Sequence, residues 1–216
     1  MTDGGEQRHA VVFDCNAYLD VGRVLGSPFS WDAFNDHLAQ LSKVAVPHPT
    51  DRMHDSLRAI ALCTSGRFAG DEVLEVWTSA HIDKIVRGKA MQSVEPDPET
   101  GYFGLGWSRE HAQGMVSDLI GTLTEQSNGG TLGDGPTAAS NPPLDHEDGM
   151  VYGACAALAG NDPLCNVYCV TKDRGFLTAY ANGELATHTR VITPSKFIGL
   201  VRTARNACSI RRMLPP

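Results

Sequence analysis

A handful of acidic residues stand where carboxylates can do chemistry. Asp14 ends the apolar run 10–13, and Asn16 follows two residues later. Asp145, Glu147 and Asp148 open a stretch rich in small residues, and Asp173 lies two residues past Thr171 after another apolar run. Carboxylates held together in a partly buried pocket repel, and each raises its neighbours' pKa unless a cation neutralises them. An all-oxygen donor set suits a hard divalent ion, Mg2+ or Mn2+, better than zinc. Such an ion orients a water, makes it more nucleophilic and stabilises charge on a phosphoryl group. The candidate metal ligands are Asp14, Asp145, Asp148 and Asp173.

Each of these residues also has a plainer reading. Asp14 can be a turn residue after a strand, Asn16 a local turn former and Asp173 a loop residue in Lys-Asp-Arg-Gly. Asp145 can cap a helix, with Asp148 at the third helical position that the helix dipole favours and Glu147 a solvated first-turn charge.

Four apolar segments, 10–13, 73–78, 167–171 and 189–193, read as strands. Helical patterns separate them. Ser30 or Asp32 can cap a helix with Phe34, Leu38 and Leu41 on its apolar face, and Thr50 or Asp51 starts another with Leu57 and Ile60. Ser79 caps a helix with Ile82, Ile85 and Val86 on its seam. Ser108 caps the clearest helix, with Ala112, Met115, Val116, Leu119, Ile120 and Leu123 at helical spacing. Further helices cover 145–158, a short segment after Asp173, and the segment from Pro194. Residues 92–107 and 126–143 read as loops. Strands alternating with helices predict a three-layer α/β/α domain with a central, mostly parallel sheet. Ligands bind such sheets at the carboxyl ends of the strands, where the acids fall.

The chain has 216 residues and a formal charge of −7, which excludes a basic coat gripping nucleic acid non-specifically. Its length suits one domain over 10–206, between tails at 1–9 and 207–216. No apolar run spans a bilayer, and the polar first nine residues are no secretory signal. The six cysteines therefore read as reduced thiols of a cytoplasmic protein. Gly-x-Ser-x-Gly, Gly-x-Gly-x-x-Gly and Walker A patterns are absent.

Four segments together resemble the PIN-domain nucleases, toxin-type bacterial ribonucleases among them. Val11-Val-Phe-Asp14-Cys-Asn16 resembles their opening strand and acid. Asp145-His-Glu-Asp148-Gly-Met-Val-Tyr-Gly-Ala154 resembles their Asp-x-x-Asp helix. Val170-Thr171-Lys-Asp173-Arg-Gly-Phe176 resembles their Thr-x-Asp segment, and Val191-Ile-Thr-Pro194-Ser-Lys-Phe197 their closing strand and helix. The resemblance implies a PIN-like fold and a Mg2+- or Mn2+-dependent endoribonuclease leaving a 5′-phosphate, often the toxin of a toxin–antitoxin pair. Carried over, Asp14 matches the first acid, Asp148 the third and Asp173 the fourth, with Asn16 and Thr171 as supporting polar residues. The second acid falls in the segment 78–83, where Asp83 is the only acid, with Glu75 in reserve. The stretches 21–72 and 87–141 are longer than a compact toxin needs, and read as insertions that cover the site, bind a partner or set substrate choice.

A nuclease must hold phosphates, and Lys84, Arg87 and Lys89, with Lys172 and Arg174 beside Asp173, are the candidates. Arg202, Arg205, Arg211 and Arg212 form a second basic group, and either group can equally be a solvated face. Tyr18, Trp31, Trp77, Tyr102 and Trp107 can stack on bases or pack in the core. The expected partners are RNA, a protein antitoxin and a second copy of the chain, with no membrane. Two alternatives stand: a degenerate PIN-like domain that binds RNA or a protein without catalysis, and a phosphohydrolase using Asp14 as nucleophile. The latter usually has an aspartate two residues on, where this chain has Asn16.

Overall fold

The apolar run that follows Arg8 forms β1 (Arg8–Phe13), buried from His9 onward. A strand covered on both faces needs apolar side chains on both, so the run does not alternate. The computed structural model describes residues 7–43, 52–96, 98, 103–133, 139, 143–185 and 188–213. Pro47, Pro49, Thr50, Asp51 and Tyr102 lie outside the described residues.

Four more strands complete the sheet: β2 (Val73–Ser79), β3 (Gly130–Leu132), β4 (Asn166–Val170) and β5 (Thr189–Ile192). All pair in parallel, in the order β3-β2-β1-β4-β5. The protein is thus an α/β domain of three layers, as expected. β3 is a correction to the reading of 126–143 as loop: it has three residues, too few to show a period, and pairs with Trp77, Thr78 and Ser79. Gly129 just before it lies against the Val76 backbone, where a Cβ would collide with the carbonyl. Only glycine lets the two chains approach so closely.

The helices are α1 (Cys15–Leu25), α2 (Trp31–Lys43), α3 (Arg52–Cys63), α4 (Ala80–Met91), α5 (Arg109–Gly114), α6 (Thr122–Gln126), α7 (His146–Asn161), α8 (Arg174–Ala181) and α9 (Pro194–Met213). A π-helical stretch, Met115–Gly121, joins α5 to α6, so the long periodic pattern after Ser108 is one rod. Ser79 and Ser108 cap as expected, accepting from the backbone N–H of Ile82 at 3.2 Å and of His111 at 3.1 Å. Ser30 rather than Asp32 precedes α2 and accepts from Ala33 N–H.

The two faces of the sheet can be told apart on β4. The Tyr168 ring meets Phe197 of α9, whereas the next side chain, Cys169, meets Cys155 of α7. On the first face α3 packs between α1 and α9, with Leu57, Ile60 and Cys63 fully buried, so it belongs to the core layer. On the second, α7 lies across β1, β2, β4 and β5. Among the described residues no helix is long and apolar enough to cross a membrane.

Candidate functional site

The strand order places a switch point between β1 and β4. The chain leaves β1 into α1 on one face, and helices on either side of this pair cover opposite faces, opening a crevice at the carboxyl ends. Asp14 is the residue after β1 and Thr171 the residue after β4, and both are buried, at 4% and 1% exposure. Their segments are held by the sheet itself. Asp14 N–H donates to the Val170 carbonyl and Thr171 N–H to the Ile192 carbonyl, each at 3.0 Å.

One hydroxyl joins two of the acids. Thr171 Oγ1 donates to Asp14 Oδ2 at 2.9 Å and accepts from Asp173 N–H at 2.9 Å. Asn16 Nδ2 donates to the same Asp14 oxygen at 3.2 Å. Asp173 caps α8, its Oδ1 accepting from Phe176 N–H at 2.9 Å. Asp145 caps α7, its Oδ1 accepting from Asp148 N–H at 2.8 Å. The capping and site readings of Asp145 and Asp173 are therefore not exclusive: the caps fix where these carboxylates stand.

Asp148, in the first turn of α7, feels the charge of this group. Burial, then the charges of Asp14, Asp173, Asp145 and Glu147, push the Asp148 carboxyl up to about 7. Burial also raises Asp14, against the bonds from Thr171 and Asn16 and the charge of Lys89. Burial lowers the Lys89 ammonium, but its bond to Glu147 and the charges of Glu147, Cys15 and Asp14 outweigh it, leaving it raised. Lys89 Nζ lies 2.8 Å from Glu147 Oε2, so Glu147 is no merely solvated charge. Among the described residues, no three or more His, Cys, Asp or Glu side chains are gathered closely enough to hold a metal ion as they stand.

No protein-family model, curated protein or solved structure matches the chain. The reading of the site rests on this chain's own geometry.

The other candidates divide. Asp83, in the first turn of α4, accepts from Thr78 Oγ1 at 2.8 Å. Burial raises its pKa, opposed by the Thr78 bond and by Arg87. Its closest described bond is thus to its own strand end. Glu75, held in reserve, is buried at 6% and engaged elsewhere: Arg8 reaches both of its oxygens at 2.8 Å, and Trp77 Nε1 donates to it at 2.9 Å. Lys84, Arg87 and Lys89 do share a feature, a cleft of about 320 Å3 that Glu147 also lines. Arg174 is exposed at the start of α8. Lys172, expected to meet a phosphate, is instead ion-paired with Asp20.

Asp20 is the residue that sequence reasoning missed. It is 1% exposed on α1, and its Oδ2 takes Ser56 Oγ of α3 at 2.6 Å as well as Lys172. Its position four residues after Asn16, one helical turn on, is the signal that points to it. The second basic group faces away. Arg211 and Arg212 line a cleft with Gln7 and Glu72 beside the amino ends of β1 and β2. Arg205 is spent on the carbonyls of Leu62, Arg67 and Phe68. The described aromatic candidates are packed or bonded: Tyr18 is fully buried, Trp107 is 9% exposed, Trp31 bonds the Asp118 carbonyl and Trp77 bonds Glu75.

Proposed function

We propose that this protein is a Mg2+- or Mn2+-dependent endoribonuclease that hydrolyses RNA phosphodiester bonds, as its resemblance to PIN-domain nucleases implies. The observation that carries the reading is the Thr171 hydroxyl bonded to both the Asp14 carboxylate and the Asp173 backbone N–H at the switch point, with the charges of Asp14 and Asp173 among those that raise the Asp148 pKa. The donor chemistry fits a hard divalent cation: the carboxylates are all-oxygen ligands whose mutual repulsion a cation relieves. Asp14, Asp148 and Asp173 would hold it, with Asp145 at the margin. When bound, it would activate a water and neutralise charge developing on the phosphoryl oxygens. Thr171 and Asn16 orient the Asp14 carboxylate, and the caps of α7 and α8 fix Asp148 and Asp173. The Lys84, Arg87 and Lys89 cleft offers phosphates a cationic wall beside the acids. A protein antitoxin and self-association belong to the same proposal as partners, and the cytoplasm as its setting.

The test is single-stranded RNA incubated with the purified protein, with and without Mn2+. Cleavage that requires Mn2+ and is lost in Asp148→Asn supports the proposal; cleavage undiminished in that variant removes it. The second reading, a domain that binds without cleaving, draws on Asp83 bonding Thr78 and on the loose spacing of the acids. Titrating Mn2+ while following thermal unfolding separates the two. A working site raises the midpoint by mass action, and a degenerate one leaves it where it was.

A further inference from the structure

Phe103 is an aromatic ring that the packing leaves open, at 51% exposure. Isolated surface rings are commonplace, but three observations set this one apart. Its chain segment is pinned: Gly104 N–H donates to the Ser93 carbonyl at 2.6 Å, Gly106 N–H to that of Gln92 at 2.8 Å and Trp107 N–H to that of Ala90 at 2.9 Å. Gly104 is pressed on the last turn of α4, where a Cβ would run into the Lys89 and Gln92 carbonyls. The ring carries a cation, with the Arg23 guanidinium 5.3 Å from its centroid.

Two separate chains of contact lead from it toward the acids. Through α1, Arg23 Nη1 lies 3.5 Å from Asp20, and Asp20 holds Lys172, between Thr171 and Asp173. Asp14 caps the same helix nine residues before Arg23, roughly 13 Å along its axis. Through α4, the backbone under Gly104 is that of Lys89, whose ammonium bonds Glu147, the neighbour of Asp148. Phe103 thus lies against Arg23 of α1 and next to the last turn of α4, the two helices that carry these contacts.

We infer that Phe103, backed by Arg23, is a stacking subsite for an unpaired base of the RNA strand whose phosphodiester lies at the carboxylates. The inference rests on the ribonuclease reading and adds that the substrate is single-stranded there. Base–aromatic stacking needs an accessible ring, and about half of Phe103 is exposed; such stacking is tolerant of base identity. A guanidinium on the same ring adds cation–π support and a charge for the adjoining phosphate. A base in a duplex, stacked on both sides, has no face to offer.

The experiment measures fluorescence anisotropy of a labelled single-stranded oligoribonucleotide, in EDTA so that nothing is cleaved. A matching abasic ribose-phosphate strand and the duplex serve as comparisons. Phe103→Ala is expected to weaken binding of the base-bearing strand about 5- to 150-fold and to leave the abasic strand unchanged. Phe103→Trp is expected to keep the affinity, and its added emission to be quenched when the strand binds. Equal affinity in Phe103→Ala and the wild type overturns the inference, as does an equal loss on the abasic strand. If the wild type binds and cleaves RNA while Phe103→Ala matches it, the subsite alone falls. If the wild type neither binds nor cleaves, the ribonuclease reading falls and the subsite with it.

Discussion

Buried carboxylates in this domain are compensated in two ways. Toward the amino ends of the strands, Glu75 is 6% exposed and both its oxygens meet the Arg8 guanidinium. On α1, Asp20 is 1% exposed and meets Lys172 and Ser56. At the carboxyl ends, Asp14 is 4% exposed but is met by a hydroxyl and an amide, with Lys89 acting from a distance, and its neighbours are further acids. Burial is common to all three. What differs is whether the chain supplies the compensating cation. Where it does, the carboxylate is structural. Where it does not, burial and the charge of neighbouring acids raise the carboxyl pKa.

The comparison can be broken most severely at Asp148. Asp148→Asn is expected to lower Mn2+-dependent RNA cleavage on the order of 10³-fold or more and to abolish the Mn2+ rise in unfolding temperature. Retention of both would mean the acids do not act together. Next comes the paired acid. Lys172→Met leaves a buried charge short of its partner and should cost about 3 kcal/mol in urea unfolding. Adding Asp20→Asn should recover most of that loss, and no recovery would show that the pair is not what holds the β4–α8 connection.

The pH dependence of the metal-free protein is the third probe. The folded pKa of Asp148, about 7, lies above its ordinary value near 4, so the folded state binds the proton more tightly. Stability is therefore expected to fall as pH rises from about 4 to 7, by about 2 kcal/mol once screening of a partly exposed group is allowed for. Saturating Mn2+ or Asp148→Asn should flatten that slope. Glu75→Gln is expected to cost about 1 kcal/mol, because Arg8 is half-exposed and keeps water as a partner; it should leave the Mn2+ response intact. Asp83→Asn is expected to have the smallest effect, losing part of the Thr78 bond at about 1 kcal/mol. A loss of the Mn2+ shift in Asp83→Asn would instead bring α4 into the cation site.

Much of the scaffold was legible from local pattern. The strands β1, β2, β4 and β5 announce themselves because apolar runs bounded by polar turns have no other way to be buried. Ser79, Ser108 and Pro194 mark their helix starts through side-chain chemistry that acts within one turn. β3 was not legible, since a three-residue strand in a glycine-rich segment is defined by its partner β2 and by the close approach at Gly129. Asp14, Asp148 and Asp173 could be named from their places at strand ends and a helix start, and Asn16 from its place beside Asp14; Thr171 was named only through the resemblance to PIN-domain nucleases. The Lys172–Asp20 ion pair was not legible, because it joins residues remote in the chain. Phe103 was passed over, while Tyr18 and Trp107 prove to be buried, since exposure is a property of the folded surface.

By itself the order of residues determined which elements form and which acids end them, because hydrophobic period, capping and turn chemistry are short-range. Only the tertiary structure decided which of the buried acids are paired with a cation of the chain and which carry a pKa raised by burial and by other acids. Charge pairing depends on distances through space, falling off within a few ångströms, and such distances exist only once β1 and β4 lie side by side.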